Sequence, residues 1–125
     1  MPTAASGWAV TPIAEYRQRV SLTKTVEVDD GHGGFEEQEV VFLDHILASV
    51  EQMSGRDLQY AQQIEPRATW RVCIHYHQDV SSESQLTYHD TRKGDRVFEI
   101  VAPPLDIAER HWELQLLCRE GQHTP

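Results

Sequence analysis

Positive charge, sulfur and long apolar runs are all scarce in this sequence. Eleven Lys and Arg stand against 20 Asp and Glu, leaving a formal charge of -9 and a pI near 5.1. A tight nucleic-acid binder carries a basic footprint, and so does a protein held on an anionic membrane surface, so both classes are disfavoured. The two cysteines, Cys73 and Cys118, are too few and too far apart for a paired-cysteine metal motif or a disulfide scaffold. Both sit in apolar stretches and are expected as buried reduced thiols, with a single disulfide as the alternative. No stretch approaches the roughly 20 apolar residues of a membrane-spanning helix. The start, MPTAASGWAV, has neither a basic lead nor a sustained apolar region, so no signal peptide is expected and synthesis is expected in the cytoplasm.

Glycine is sparse as well, with seven in all, three of them gathered in DDGHGGFEE. That stretch lacks the Gly-Lys-Ser/Thr ending of a phosphate-binding loop, has no dinucleotide-binding glycine spacing, and is flanked by acids. It reads as a flexible hairpin loop made by Asp29, Asp30, Gly31, His32, Gly33 and Gly34. Ser54-Gly55 lacks the Gly-x-Ser-x-Gly frame of a nucleophile elbow. Acid pairs such as Glu36-Glu37 lie where water solvates them, so nothing tunes them for acid catalysis.

What remains is a pattern of strands. At 125 residues the chain is one domain's worth, and 39% hydrophobic residues suit a thin sheet or barrel completed by neighbouring copies. In RVSLTKTVEV, Val20, Leu22, Val26 and Val28 share one face, interrupted by Lys24. EVVFLDHILASV (Glu39 to Val50) predicts a long strand, bulged near Asp44-His45. Ser54 with Asp57 approximates a capping box, and Leu58, Ala61 and Ile64 form an apolar stripe that Pro66 closes. TWRVCIHYHQDV, QLTY, RVFEIVAPP and ELQLLCRE predict four more strands, and LDIAERHW reads as a loop or one helical turn. Ahead of them, Thr11-Pro12 opens a short turn. The sum is a mainly β chain: a small barrel or sandwich of about six strands with one short helix in an insertion.

Seven histidines raise the question of a metal. His75 and His77 are two apart on a predicted strand face, a spacing that can aim two imidazoles at one ion. A third ligand is not evident, because His45, His89 and His111 lie in other elements and nothing in the sequence converges them. The pair is therefore expected on a solvated or subunit-facing side, with no metal, cofactor or catalytic residue assigned. A small metal-binding β-barrel enzyme using His75 and His77 is the reading from another class.

The order of six segments, RQRVSL, DDGHGGF, ASVEQMSGRDLQYAQQ, RVCIHYHQDV, RVFEIVAPP and ELQLLCREG, resembles the phage head-tail joining family, which includes head-closure (stopper) proteins. The resemblance covers residues 17–121, leaving residues 1–16 as an arm and 122–125 as a short tail. It implies a structural virion protein. Such a protein would form a homo-oligomeric ring of six or twelve copies, with portal and adaptor above and tail terminator and tail proteins below. That ring would retain packaged DNA, which passes its lumen without sequence-specific binding, and would dock the tail. Another neck ring component, an adaptor or tail terminator, is the neighbouring reading; an adaptor would be richer in helix. Family members that close the channel use the insertion that here spans Gln52 to Pro66. Its channel-gate or lumen candidates are Ser54, Gly55, Arg56 and Asp57, then Gln59, Tyr60, Gln62 and Gln63. Trp8 and Ile13, apolar groups on the arm, are the subunit-interface candidates.

Overall fold

The computed structural model describes residues 16–106 and 111–121. The predicted turn opened by Thr11-Pro12, the arm with Trp8 and Ile13, and the tail lie outside the described residues. Eight elements follow one another: β1 (Gln18–Asp29), β2 (Phe35–Gln52), α1 (Gly55–Ile64), β3 (Trp70–His75), β4 (Gln85–Asp90), β5 (Gly94–Ile100), β6 (Leu105–Asp106) and β7 (Glu113–Glu120). Every strand pairing is antiparallel.

The strand order β3-β2-β1-β4-β5-β7 closes on itself through the β3–β7 pairing, which makes a six-stranded barrel. Closure removes the open sheet edges that a small domain otherwise leaves unpaired. β7 is the seam: Trp70 to His75 pair with it on one side, while β5 and the two-residue β6 share its other side. The expected barrel is thus present, with β6 as a short addition at Leu105–Asp106.

Alternation fills the interior. Val20, Leu22, Val72, Ile74, Leu86, Phe98, Leu114, Leu116 and Cys118 form the main core, with Trp70 and Tyr88 packed against it. The Phe98 ring meets Trp70 at 5.0 Å and Tyr88 at 5.9 Å, an aromatic cluster at the seam. Cys73 and Cys118 are both buried thiols that form no disulfide. The register sets Cys73 opposite Gln115 and Cys118 opposite Trp70, so one thiol faces out of the wall and the other into the core.

A second, smaller cluster sits outside the wall, where Leu117 carries Met53, Ala61, Ala68, Val101 and Ala102. Helix α1 attaches here through Ala61 and Leu58, but Ile64, expected on the same stripe, is 47% exposed. The capping box does not form: Ser54 makes no side-chain cap, and Asp57 lies 3.8 Å from Arg71 instead. The strand expected through His77 ends at His75, because β7 begins at its partner Glu113. Past that point Tyr76 N–H donates to Trp112 O and the chain turns.

Candidate functional site

Three surface regions carry the polar chemistry. The first is the bulge in β2. Val20 pairs with Ile46 and Leu22 with Leu43, so Asp44 and His45 face Ser21 alone. His45 takes φ 50 there, in the left-handed region that β-bulges use and that a residue with a Cβ adopts only at some strain. The expected bulge is in place, and it assembles a knot that local sequence does not reveal. Ser21 Oγ donates to Asp44 Oδ1 at 3.0 Å, accepts from His45 N–H at 3.0 Å, and lies 2.7 Å from His89 Nε2. His89 Nδ1 is 2.8 Å from Asp95 Oδ1, and the His45 and His89 rings stack at 3.9 Å and 6°. The His45 and Ser21 hydrogen bonds hold the Asp44 carboxyl below its usual range.

Ser21, His89 and Asp95 have the connectivity of a nucleophile, base and orienting acid. Ser21 is only 5% exposed, and its hydroxyl donates to Asp44, which is the geometry of a structural hydrogen bond. Asp44, His45 and His89 also hold potential metal-ligand atoms within 4.8 Å of one another. The two rings lie in parallel planes, so their lone pairs run side by side instead of converging, and each near nitrogen already makes a hydrogen bond. The knot pins the bulge to β4. His45 and His89, read from sequence as unrelated, are brought together. His75 and His77 are not: the first ring lies 4.9 Å from Tyr16 and the second 5.7 Å from Phe42.

The second region is the β1–β2 ribbon. β1 pairs with β4 only as far as Thr23, and β2 pairs with β3 only from Ala48 on, so among the described residues no third strand lies beside the outer halves of either. The ribbon exposes Phe35, 72% accessible, with Val40 and Val41. Its loop is closed by Asp30, whose carboxylate accepts from His32 and Gly34 N–H, while Asp29 accepts from Gly31 N–H. Gly31 and Gly33 stand at φ 81 and φ 84, which explains the glycines.

The third is the insertion. Gly55 at φ 58 starts the helix, consistent with a glycine being required there. Arg56, Gln59, Tyr60 and Gln63 line a shallow recess of about 350 Å³ on the outward side. Gln62 points inward and donates to Ala68 O at 3.2 Å, so it braces its own loop. Arg17, Arg19, Arg92 and Lys93 line a larger cleft of about 470 Å³ at the β4–β5 turn.

Two interactions rigidify this frame. Arg96 forms a two-pronged pair with Glu120 at 2.6 and 2.8 Å, reaches Asp90 at 3.2 Å, and lies 5.1 Å over the Trp70 ring. Arg96 holds the Glu120 carboxyl below its usual range. Tyr16 OH donates to buried Glu113 at 2.6 Å, and burial first, then that bond, pushes the phenol up.

Compared with known proteins, residues 11–121 match the family described as phage head completion protein. The chain is also similar to the solution structure of protein SF1141 from Shigella flexneri 2a. The two share 27% identity with a TM-score of 0.69, over 91% of this chain and 100% of that one. No curated protein matches.

Proposed function

The chain belongs to the phage head completion protein family, and from that premise we propose that it is a stopper-type ring of the phage neck. The family makes it a structural protein of the virion head and neck. In the proposed role, copies assemble below portal and adaptor, hold packaged DNA back, and present a surface to the tail. The observation that carries this reading is a closed barrel from which two features project: a β-ribbon that runs past its neighbouring strands and exposes apolar groups, and a helical insertion attached through Leu58 and Ala61. A closed barrel is a rigid block, and projections on a rigid block suit fixed contacts around a ring. The acidic balance supports free passage of DNA, since acidic walls repel phosphate within the roughly 8 Å screening length. One ten-residue helix among the described residues favours the stopper over a helix-rich adaptor.

The insertion is the gate in this reading. Arg56, Gln59 and Gln63 face away from the barrel and can hydrogen-bond to identical neighbours around an axis. Its anchorage through Leu58 and Ala61 makes movement cheap. Phage lacking this protein should yield packaged heads that leak DNA and bear no tails, seen by electron microscopy. Fully tailed, infectious particles without it would refute the role. Gln59→Ala with Gln63→Ala should give assembled necks that leak, whereas normal DNA retention would remove the gate and leave the helix as wall covering.

A further inference from the structure

We propose that the acidic face of one copy's β-ribbon seats in the basic cleft of the next copy, an inference that rests on the ring reading above. The register carries the first half. Glu27 pairs directly with Glu37, Thr25 with Glu39, and Asp29 with Phe35, so Glu27, Asp29, Glu37 and Glu39 project from one face. The ribbon's lysine, Lys24, pairs with Val40 on the opposite face. Like charges set directly opposite are destabilising, and among the described residues no third strand pairs beside them. From Lys24 to Val41 six carboxylates meet one lysine, which places -5 of the chain's -9 on this projection.

The cleft is the complement. Arg17 lies just before β1, Arg19 at its start, and Arg92 and Lys93 at the β4–β5 turn, all four exposed. Among the described lining residues, four cationic side chains stand beside one carboxylate, Asp90, which accepts from Arg92 N–H at 2.8 Å and from Arg96 at 3.2 Å, while Arg19 donates to His45 O at 3.0 Å. Arg19 and Asp29 stand ten residues apart on the same strand, roughly 33 Å at strand rise. The ribbon therefore cannot reach its own cleft, and neutralisation needs a second copy. Such a contact is heterologous, ribbon to cleft, and repeating it generates a ring when the rotation closes. Phe35 and Val41, on the same face as the acids, would lose water in the same step. A nucleic-acid phosphate is the other occupant a basic cleft admits. The second copy is favoured because the same chain supplies the matching acids one for one, and its net charge repels DNA.

Charge reversal tests this on the full chain. Glu27→Lys with Glu37→Lys keeps the cross-strand repulsion and reverses only its sign, and Arg92→Glu with Lys93→Glu reverses the cleft. Each double variant should fold with wild-type circular dichroism and weaken assembly at least tenfold in native mass spectrometry. An equimolar mixture of the two should recover wild-type assembly, with the variants alternating. If both variants assemble like wild type, the contact is wrong and the ring reading stands. If wild type forms no assembly, alone or on portal-bearing heads, both fall. If cleft reversal leaves assembly intact and abolishes DNA binding, the cleft reads phosphate and the proposal is overturned.

Discussion

Phe98→Ala and Phe35→Ala remove the same atoms from one chain and should have opposite consequences. The Phe98 ring is fully buried at the barrel seam, where it touches Trp70 and Tyr88, and its strand pairs with both β4 and β7. Its burial is worth about 2–3 kcal/mol, and two aromatic contacts add about 0.5–1.5 kcal/mol each. A cost of about 3–5 kcal/mol follows, in line with other buried Phe→Ala changes. With a urea slope of about 1.5 kcal/mol per molar, the midpoint should fall by about 2–3 M. Phe35 is 72% exposed, so its loss should change monomer stability by less than about 0.5 kcal/mol while weakening assembly. Urea titrations belong at one fixed protein concentration, because assembly stabilises the folded state by mass action. A Phe98→Ala midpoint within about 0.5 M of wild type would mean that the seam is not packed, and the closed barrel would be refuted.

Arg96→Met should flatten the acid limb of stability. The Glu120 carboxyl is depressed by Arg96, so its contribution is present above its usual 4.5 and lost as pH falls through the lower folded value. Melting curves between pH 2 and 6, run in roughly 0.1 M salt, check this, and parallel wild-type and variant slopes would deny the pair any role. Tyr16→Phe acts at the other end of the scale. The raised phenol contributes stability below its usual 10.0 that is lost as pH rises beyond it, so the variant should lose the alkaline slope. At neutral pH it should cost about 1–2 kcal/mol, because Glu113 loses a hydrogen bond while buried. Cys73 and Cys118 should resist a thiol reagent until the protein unfolds, since both are buried and burial pushes the Cys118 thiol up. Rapid labelling of the native protein would contradict that.

Strands were legible where apolar residues alternate with polar ones, even in β7, whose two faces are both buried over most of its length. Leu114, Leu116 and Cys118 alternate with Gln115 and Arg119, and β7 spans Glu113–Glu120 as its pattern predicts. The bulge was legible too, because Asp44-His45 interrupts a β-branched run. Its partners were not. Ser21, His89 and Asp95 come from three strands, and only the barrel's register places them around the bulge. His77 was misplaced because alternation continues past His75 although the partner strand does not. The Ser54–Asp57 spacing fits a capping box, but Arg71 on β3 takes up Asp57, a contact between elements that local spacing cannot express. The ribbon's acidic face depends likewise on which residues oppose which. Glu27 and Glu37 are ten apart in sequence and become a pair only through the turn at Asp30.

A reconstruction of the portal vertex in DNA-filled heads, compared with heads lacking this protein, tests the central claim most directly. The account predicts a closed ring of barrels between portal and tail, each ribbon lying on its neighbour's β4–β5 turn, with helical insertions turned toward the axis. Heads without the protein should lose that ring, their DNA and their tails together. A vertex that is unchanged without the protein, on heads that keep their genome and carry tails, would contradict it.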